Sequence, residues 1–359
     1  MRILYLLNNI ESVGGISTIT IKKIEWFIKV KGYSIVVFVK SHHSDYEEKF
    51  NGKLKIYNFG SVYDGLSGFK KIWYVLKFKR FVKGLIKKHN IQICVSTLTS
   101  LDFFTLVSIY RKVPKVLEIH STSKIIIQKS YYIKKHFYKL YDKVVLLNNL
   151  EKSNYGLKNV TIIPNFIDPG NNYNKKEKKK IIISGGRNDV LKQWNHQIKA
   201  WNLIYNKTSD WEYHLYIDAN EEDLNFFKSV VEKNCNSIKI NQAIPDFRDK
   251  IMEASILVLS SKLECFPLNI LEAFAEKTAV ISYKTYSGPL TLIEHLKTGV
   301  LVDQDDVKKL SEAIEFLINN EEMRNEISEN AKEFSTNFAP DKIMNNWLSL
   351  FESLIHENS

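Results

Sequence analysis

Two carboxylates eight residues apart, Glu264 and Glu272, bracket the stretch Ser260-Ser261-Lys262-Leu263-Glu264-Cys265-Phe266-Pro267-Leu268-Asn269-Ile270-Leu271-Glu272-Ala273. The apolar run Ile256–Ser260 before it reads as a buried strand. Pro267 suits the first turn of a helix. That puts Glu264 in a loop at the strand's carboxyl end and Glu272 on the following helix. The free amides of a helix start attract anions, and ligands of open α/β sheets sit beside the carboxyl ends of strands. One carboxylate could hold sugar hydroxyls and the other a ribose diol, with a phosphate between them. Two glutamates at this spacing are common by chance. The preceding strand and the Phe-Pro-Leu between them set this pair apart from two solvated side chains.

A second group is Ser184-Gly185-Gly186-Arg187-Asn188-Asp189-Val190-Leu191-Lys192, after another buried strand. Glycines let a ligand approach the backbone closely. Arg187 and Lys192, read as two cations across a loop, can converge on a diphosphate, one as a fork and one as a point charge. The alternative is two solvated cations. No Gly-Lys-Ser/Thr follows, so this is not a nucleotide-triphosphate loop, and GxGxxG is absent. A third group, Val13-Gly14-Gly15-Ile16-Ser17, follows the first strand. It reads either as an ordinary tight turn or as a place where a ligand lies against backbone.

Metal chemistry has little support. Asp303-Gln304-Asp305 is a formal D-x-D, but a strand precedes it and a helix follows, so acids at a helix start are the better reading. Nine histidines form no HxxxH or HxH pattern, and His42-His43 reads as loop. Cys94, Cys235 and Cys265 are far apart without zinc-like spacing, which fits a reducing compartment. No metal and no cofactor is expected.

The elements that must position these groups are short β-branched runs alternating with amphipathic stretches. They fall at Arg2–Asn8, Ser34–Lys40, Leu54–Phe59, Ile91–Thr97, Lys115–His120, Lys143–Leu147 and Val160–Pro164. A second series falls at Lys180–Ser184, Tyr213–Asp218, Ser237–Asn241, Ile256–Ser260, Ala279–Tyr283 and Gly299–Val302. Many are apolar on both faces, as parallel strands are when helices cover both sides. Two series imply two doubly wound α/β domains. A polar, Pro- and Gly-containing stretch after Pro164 separates them. Asp341–His356 has Ile343, Trp347, Leu350, Phe351 and Leu354 at helical spacing.

The 359 residues carry a net charge of +11, unevenly spread. Residues 1–170 hold 28 Lys and Arg against 11 Asp and Glu, and the remainder holds 23 against 29. The first half is expected to meet an anionic partner. Its basic, aromatic stretches Phe69–Phe81 and Lys129–Lys139 suit an anionic membrane surface. They also suit plain amphipathic helices with solvated lysines. A nucleic-acid partner is suggested only by the high isoelectric point, and no recognition motif supports it. MRILYLLNNIE lacks the long apolar core of a signal peptide, and no window nears about 18 apolar residues. A cytoplasmic protein is expected.

With these motifs in order, the sequence resembles the retaining GT-B glycosyltransferases of family 4, the glycosyl transferases group 1. The likeness rests on Gly14-Gly15 after the first strand, Pro164-Asn165-x-x-Asp168, Gly186-Arg187-x4-Lys192 and Glu264-x-Phe266-Pro267-x4-Glu272-Ala273. Gly288-Pro289 and Gly299-Val300-Leu301-Val302 extend it. It is strong over 181–315 and looser over 40–160. The pattern departs in three places: Cys265 and Phe166 stand where glycine is common, and Tyr216-Ile217-Asp218-Ala219 replaces a glycine-rich strand end.

The resemblance implies two facing Rossmann-like, doubly wound α/β domains, with a C-terminal helix crossing back to the first. Residues 1–169 with about 340–359 would bind acceptor, and 170–339 would bind the nucleotide-sugar donor. By position, Arg187 and Lys192 would bind the diphosphate, Glu264 would sit beside the donor sugar, and Glu272 would bind the ribose. Phe266, Pro267 and Leu268 would meet sugar and phosphate through their backbone. Gly15 and Gly186 would admit the diphosphate, and His120 would reach the sugar. The implied reaction is retaining, metal-independent transfer of a hexose or N-acetylhexosamine, with a UDP-sugar favoured. The acceptor would be a glycan or lipid-diphosphate-linked molecule of a bacterial surface polysaccharide. The protein would then work at the inner face of the cell membrane, through peripheral contact by the basic N-terminal domain. The alternative is a non-catalytic nucleotide-sugar or glycolipid-binding subunit of the same fold.

Overall fold

Runs such as ILYLL, IVVFV and ILVLS are apolar at successive residues because both faces of their strands are covered. In Arg2–Leu7, Ser34–Val39 and Ala254–Leu259 every residue after the first is buried. The computed structural model describes residues 1–8, 15–39, 50–60, 68–97, 113–126, 135–169 and 177–357. The chain divides into two units, Met1–Asn165 with Asp341–Ser359, and Phe166–Pro340.

In the first unit, the described strands are β1 (Arg2–Leu7), β2 (Ser34–Val39), β3 (Leu54–Asn58), β4 (Ile93–Ser96), β5 (Lys115–Ile119), β6 (Lys143–Leu146) and β7 (Val160–Ile162). They form one parallel sheet in the order β3-β2-β1-β4-β5-β6-β7. Its helices include α1 (Gly15–Lys31), α2 (Gly68–Lys88), α3 (Ser123–Ile126) and α4 (Asn149–Tyr155).

The second unit repeats the pattern. β8 (Lys179–Arg187), β9 (Glu212–Asp218), β10 (Ile238–Gln242), β11 (Ala254–Leu259), β12 (Ala279–Tyr283) and β13 (Val300–Val302) lie parallel in the order β10-β9-β8-β11-β12-β13. Its core gathers Ile182, Trp201, Tyr213, Leu215, Ile256 and Ile281. Helices α5 (Trp194–Asn202), α6 (Glu221–Val230), α7 (Phe247–Glu253), α8 (Leu268–Ala275), α9 (Gly288–Leu292), α10 (Val307–Asn319) and α11 (Glu321–Ser335) connect and cover it. In both sheets the winding direction reverses beside the first strand, between β1 and β4 and between β8 and β11. That crevice is where open α/β sheets hold ligands.

The terminal helix α12 (Pro340–Glu357) returns to the first unit. Its Phe351 ring stacks on Phe27 of α1 at 5.6 Å, and Asp341 Oδ1 accepts from Trp26 Nε1 at 3.0 Å. Ile343, Trp347, Leu350, Phe351 and Leu354 are all buried, as their spacing requires.

Each apolar run of the sequence becomes a strand, with ends shifted by a few residues. The largest change is β8. Gly185, Gly186 and Arg187 read as loop, but they extend the strand, paired to Tyr216, Ile217 and Asp218 of β9. Residues 170–176 of the expected linker, Gly14, His42-His43 and most of Lys129–Lys139 lie outside the described residues.

Candidate functional site

At the reversal point of the second sheet, the strand ends deliver two polar segments to one place. After β8, a single helical turn over Val190–Lys192 is capped by Asp189, whose carboxylate accepts from the Leu191 amide at 2.9 Å. After β11, the chain passes through Lys262 and Glu264 into α8. The Lys262 amide donates to the Leu191 carbonyl at 2.7 Å, joining the two segments through backbone. Lys192 Nζ then lies 2.5 Å from Glu264 Oε1, with both side chains part-exposed.

A buried polar chain fixes this arrangement from below. Ser184 Oγ donates to the Val258 carbonyl (2.7 Å) and lies 2.9 Å from the Tyr213 hydroxyl. Tyr213 donates to Gln197 Oε1 (2.8 Å), and Gln197 Nε2 donates to Ser260 Oγ (2.8 Å). Ser260 in turn donates to the Lys192 carbonyl (2.7 Å). Burial raises the Tyr213 hydroxyl far above the ordinary phenol range, so it stays protonated and available as donor. Buried polar groups with partners specify one arrangement. Here they tie the Lys192 backbone to the end of β11 through Ser260.

The start of α8 faces the same place. Pro267 is the residue before the first helical turn rather than within it, and Leu268 opens the helix. No side chain caps this end and no acid lies in its first turn. Its amides therefore remain suited to an anion. Asn269 Nδ2 donates to the Gly185 carbonyl at 2.9 Å and pins α8 to the end of β8. Glycine is required twice by packing. A Cβ on Gly185 would run into the Phe247 ring, and one on Gly288 would meet Pro267 Cδ at 2.6 Å. The Gly288 amide donates to the Glu264 carbonyl at 2.9 Å, and buried Ser287 beside it has φ 86°. A non-glycine residue in that region costs about 1–3 kcal/mol and persists where the surroundings over-determine it.

The remaining expected residues of this unit fall as follows. Gly186 lies under the Lys192 side chain, whose Cε is 3.4 Å from where a Cβ would sit. Arg187 is exposed, and its carbonyl accepts from Trp194 Nε1 at 3.2 Å. Phe266 is buried against Phe338, 5.7 Å between rings, so only its backbone faces the loop. Glu272 is half-buried on α8. Of the acids after β13, Asp303 pairs with Lys284 (2.9 Å) and Lys309 (2.6 Å). Those two cations hold its carboxyl down to about 2. Asp305 accepts from Gln193 Nε2 (2.6 Å), and Asp306 caps α10. Among the described residues no group of three or more His, Cys, Asp or Glu side chains could hold a metal ion.

Gly15 and His120 belong to the first unit. Gly15 opens α1 and is exposed. His120 follows β5 with its side chain only 4% exposed, and its Nε2 lies 3.0 Å from Glu118 Oε1 without a hydrogen-bonding angle. Glu118 also pairs with Lys23 of α1, whose ammonium sits 4.7 Å from the Trp347 ring centre. Burial alone would raise the Glu118 carboxyl, but Lys23 and His120 outweigh it and hold it at about 2. Glu118 Oε2 and the Tyr5 hydroxyl are buried without a hydrogen-bond partner.

Sequence reasoning missed Asn269, the Ser184–Tyr213–Gln197–Ser260 chain and the Lys23–Glu118 pair. Asn269 carried a signal, a short amide side chain in the first turn of a helix beside a glycine-rich strand end. The others did not, since their partners are distant in the chain.

Residues 170–334 match the family model described as glycosyl transferases group 1. The chain is 23% identical over 333 residues to a Campylobacter jejuni enzyme named GalNAc-alpha-(1->4)-GalNAc-alpha-(1->3)-diNAcBac-PP-undecaprenol alpha-1,4-N-acetyl-D-galactosaminyltransferase, covering 88% of this chain and 89% of that one. It is 27% identical over 215 residues to an uncharacterized glycosyltransferase of Haemophilus influenzae, covering 57% of this chain and 60% of that one. Against three of its curated relatives the chain spans 60%, 21% and 41% of their length. Among solved structures, a mutant of S. aureus TarM in complex with Fondaparinux, alpha-GlcNAc-glycerol and UDP superposes with a TM-score of 0.80. That match is 14% identical and covers 98% of this chain and 99% of TarM.

Proposed function

We propose that the protein, whose residues 170–334 match the family model of the glycosyl transferases group 1 on a chain with the GT-B fold, is a retaining glycosyltransferase. It moves a hexose or N-acetylhexosamine from a nucleoside-diphosphate sugar, a UDP-sugar in the favoured case, without a metal. The acceptor is a glycan or lipid-linked glycan of a bacterial surface polysaccharide. The observation that carries this reading is the Lys192–Glu264 pair, 2.5 Å apart beside the uncapped start of α8. A cation, a carboxylate and helix amides converge there at the switch point of a parallel sheet.

The chemistry follows from charge. A departing nucleoside diphosphate gains negative charge while the anomeric carbon gains positive character. Lys192, Arg187 and the α8 amides stabilise the leaving group, each donor worth about 2.7–4 kcal/mol if it acts as a preorganised oxyanion donor does. Glu264 orients Lys192, and its carboxylate can accept from hydroxyls of the donor sugar. Glu272, farther along α8, takes the ribose. Retention without an enzyme nucleophile requires the acceptor to enter on the face the diphosphate leaves, and a phosphate oxygen takes the acceptor's proton. A relative named for transfer onto an undecaprenol-linked glycan, and a like-folded structure holding UDP, support this choice of donor and acceptor class.

The test is a panel of UDP- and GDP-sugars assayed for hydrolysis and for transfer to polyprenyl-diphosphate glycans. Turnover of one UDP-sugar with an anomerically retained product is the expected result. Donor binding without turnover across the panel would instead identify a non-catalytic binding subunit.

A further inference from the structure

Helix α2 presents an exposed apolar stripe on its outer face. Phe69 is 90% exposed, Ile72 58%, Trp73 65% and Leu76 59%. Their spacing places them on one stripe over the first two turns. The same stripe continues through Arg80, Lys83 and Lys87, all exposed. The opposite face is committed to the core, where Tyr74, Phe78, Val82, Leu85 and Ile86 are buried. Lys77 reaches back over the Trp73 ring at 5.3 Å. The helix carries eight Lys and Arg and no Asp or Glu. Among the described residues, no other helix carries such a run of large exposed apolar side chains, and single ones are ordinary on a protein surface. Four on adjacent turns of one helix form a patch of the kind that marks an interaction site.

We propose that this face of α2 docks on an anionic lipid bilayer, with Phe69, Ile72, Trp73 and Leu76 entering the headgroup boundary. Arg80, Lys83 and Lys87 then lie against lipid phosphates. Charge complementarity selects the occupant. An all-basic helix, within a stretch that holds 28 Lys and Arg against 11 Asp and Glu over residues 1–170, is drawn to a negatively charged surface. The apolar members decide among anionic surfaces. Ile72 and Leu76 have nothing to gain from a phosphodiester backbone, whereas acyl chains accept them, and Trp and Phe favour the bilayer interface. Lysine stems lie along apolar surface while the ammonium stays at the headgroups. The α2 face contains none of the residues assigned to the donor, so docking and donor turnover are separable.

The experiment uses the full chain with vesicles of phosphatidylcholine alone and of phosphatidylcholine with phosphatidylglycerol. Binding to the anionic vesicles only, weakening as salt rises, is expected. Phe69→Ser with Trp73→Ser should lower that binding at least about tenfold, since each ring contributes interfacial area. Lys83→Glu should lower it roughly fivefold or more. These side chains lie outside the core, so thermal unfolding and donor hydrolysis in vesicle-free buffer should match the parent protein. A vesicle-induced blue shift of tryptophan fluorescence should be reduced in Trp73→Phe. Equal binding to neutral and anionic vesicles, or undiminished binding by the double variant, would overturn the proposal. So would self-association abolished by the double variant in the absence of vesicle binding, which would assign the patch to a second copy of the chain. Loss of donor turnover in every protein tested, with vesicle binding intact, would count against the transferase reading alone.

Discussion

Lys192 Nζ and Glu264 Oε1 meet at 2.5 Å across 72 residues of chain, each carried past the end of one of two adjacent strands, β8 and β11. The pair exists because the sheet changes winding direction between those strands. Two connections that start side by side must part there, and their first residues are left facing a common crevice.

Removing either partner should separate catalysis from folding. Lys192→Ala is expected to lower kcat by about 10²–10³, the usual cost of a lost preorganised donor. Glu264→Gln keeps the shape but releases the ammonium, and kcat/KM should fall at least about tenfold. Both side chains are part-exposed, so the unfolding temperature should move little. Steady-state kinetics beside a thermal melt checks this, and parental kcat in Lys192→Ala would remove the site's central donor.

Gly185→Ala should destabilise by roughly 1–3 kcal/mol, because the new methyl meets the Phe247 ring. Shrinking that ring in a Gly185→Ala/Phe247→Leu double variant should recover part of the loss. A double-mutant cycle of urea melts measures the coupling, which vanishes if the two positions are independent.

The buried carboxylate of Glu118 gives a pH signature. Its folded pKa of about 2 lies below the ordinary 4.5, so its contribution is fully present above about pH 4.5. That contribution is lost as pH falls toward 2. Glu118→Gln leaves Lys23 buried and unpaired, at a cost of about 3–5 kcal/mol near neutrality. The gap between parent and variant should therefore narrow as pH falls from about 4.5 to 2. A constant gap across that window, by denaturant unfolding at each pH, would contradict the pairing.

Trp347→Ala in α12 should cost about 3–5 kcal/mol, as large aromatic truncations in cores do. The side chain is 1% exposed and lies over Lys23. Faster proteolysis within residues 1–165 is the accompanying readout, and parental resistance there would show that the helix is dispensable.

The strands were legible because a doubly covered parallel strand must be apolar at consecutive positions, and IVVFV or ILVLS can be little else. The terminal helix was legible from its 3.6-residue period. The carboxyl half of β8 was not. Gly185, Gly186 and Arg187 have weak strand preference, and they are extended only because Tyr216, Ile217 and Asp218 continue alongside. At the site, the residue types of Lys192 and Glu264 and their loops could be read locally, but their contact could not. It depends on strand order, which no short window contains. The hydroxyl and amide chain from Ser184 to Ser260 was invisible for the same reason. Each member is an ordinary polar residue until the sheet stacks it over the next.

Residues Asp341–Ser359 belong with Met1–Asn165, while everything between forms the other unit. During synthesis the first unit must therefore wait, its α1 surface uncovered, until the whole intervening body and the helix after it have been made. A premature stop late in the message would spare the second unit and disable the one translated first.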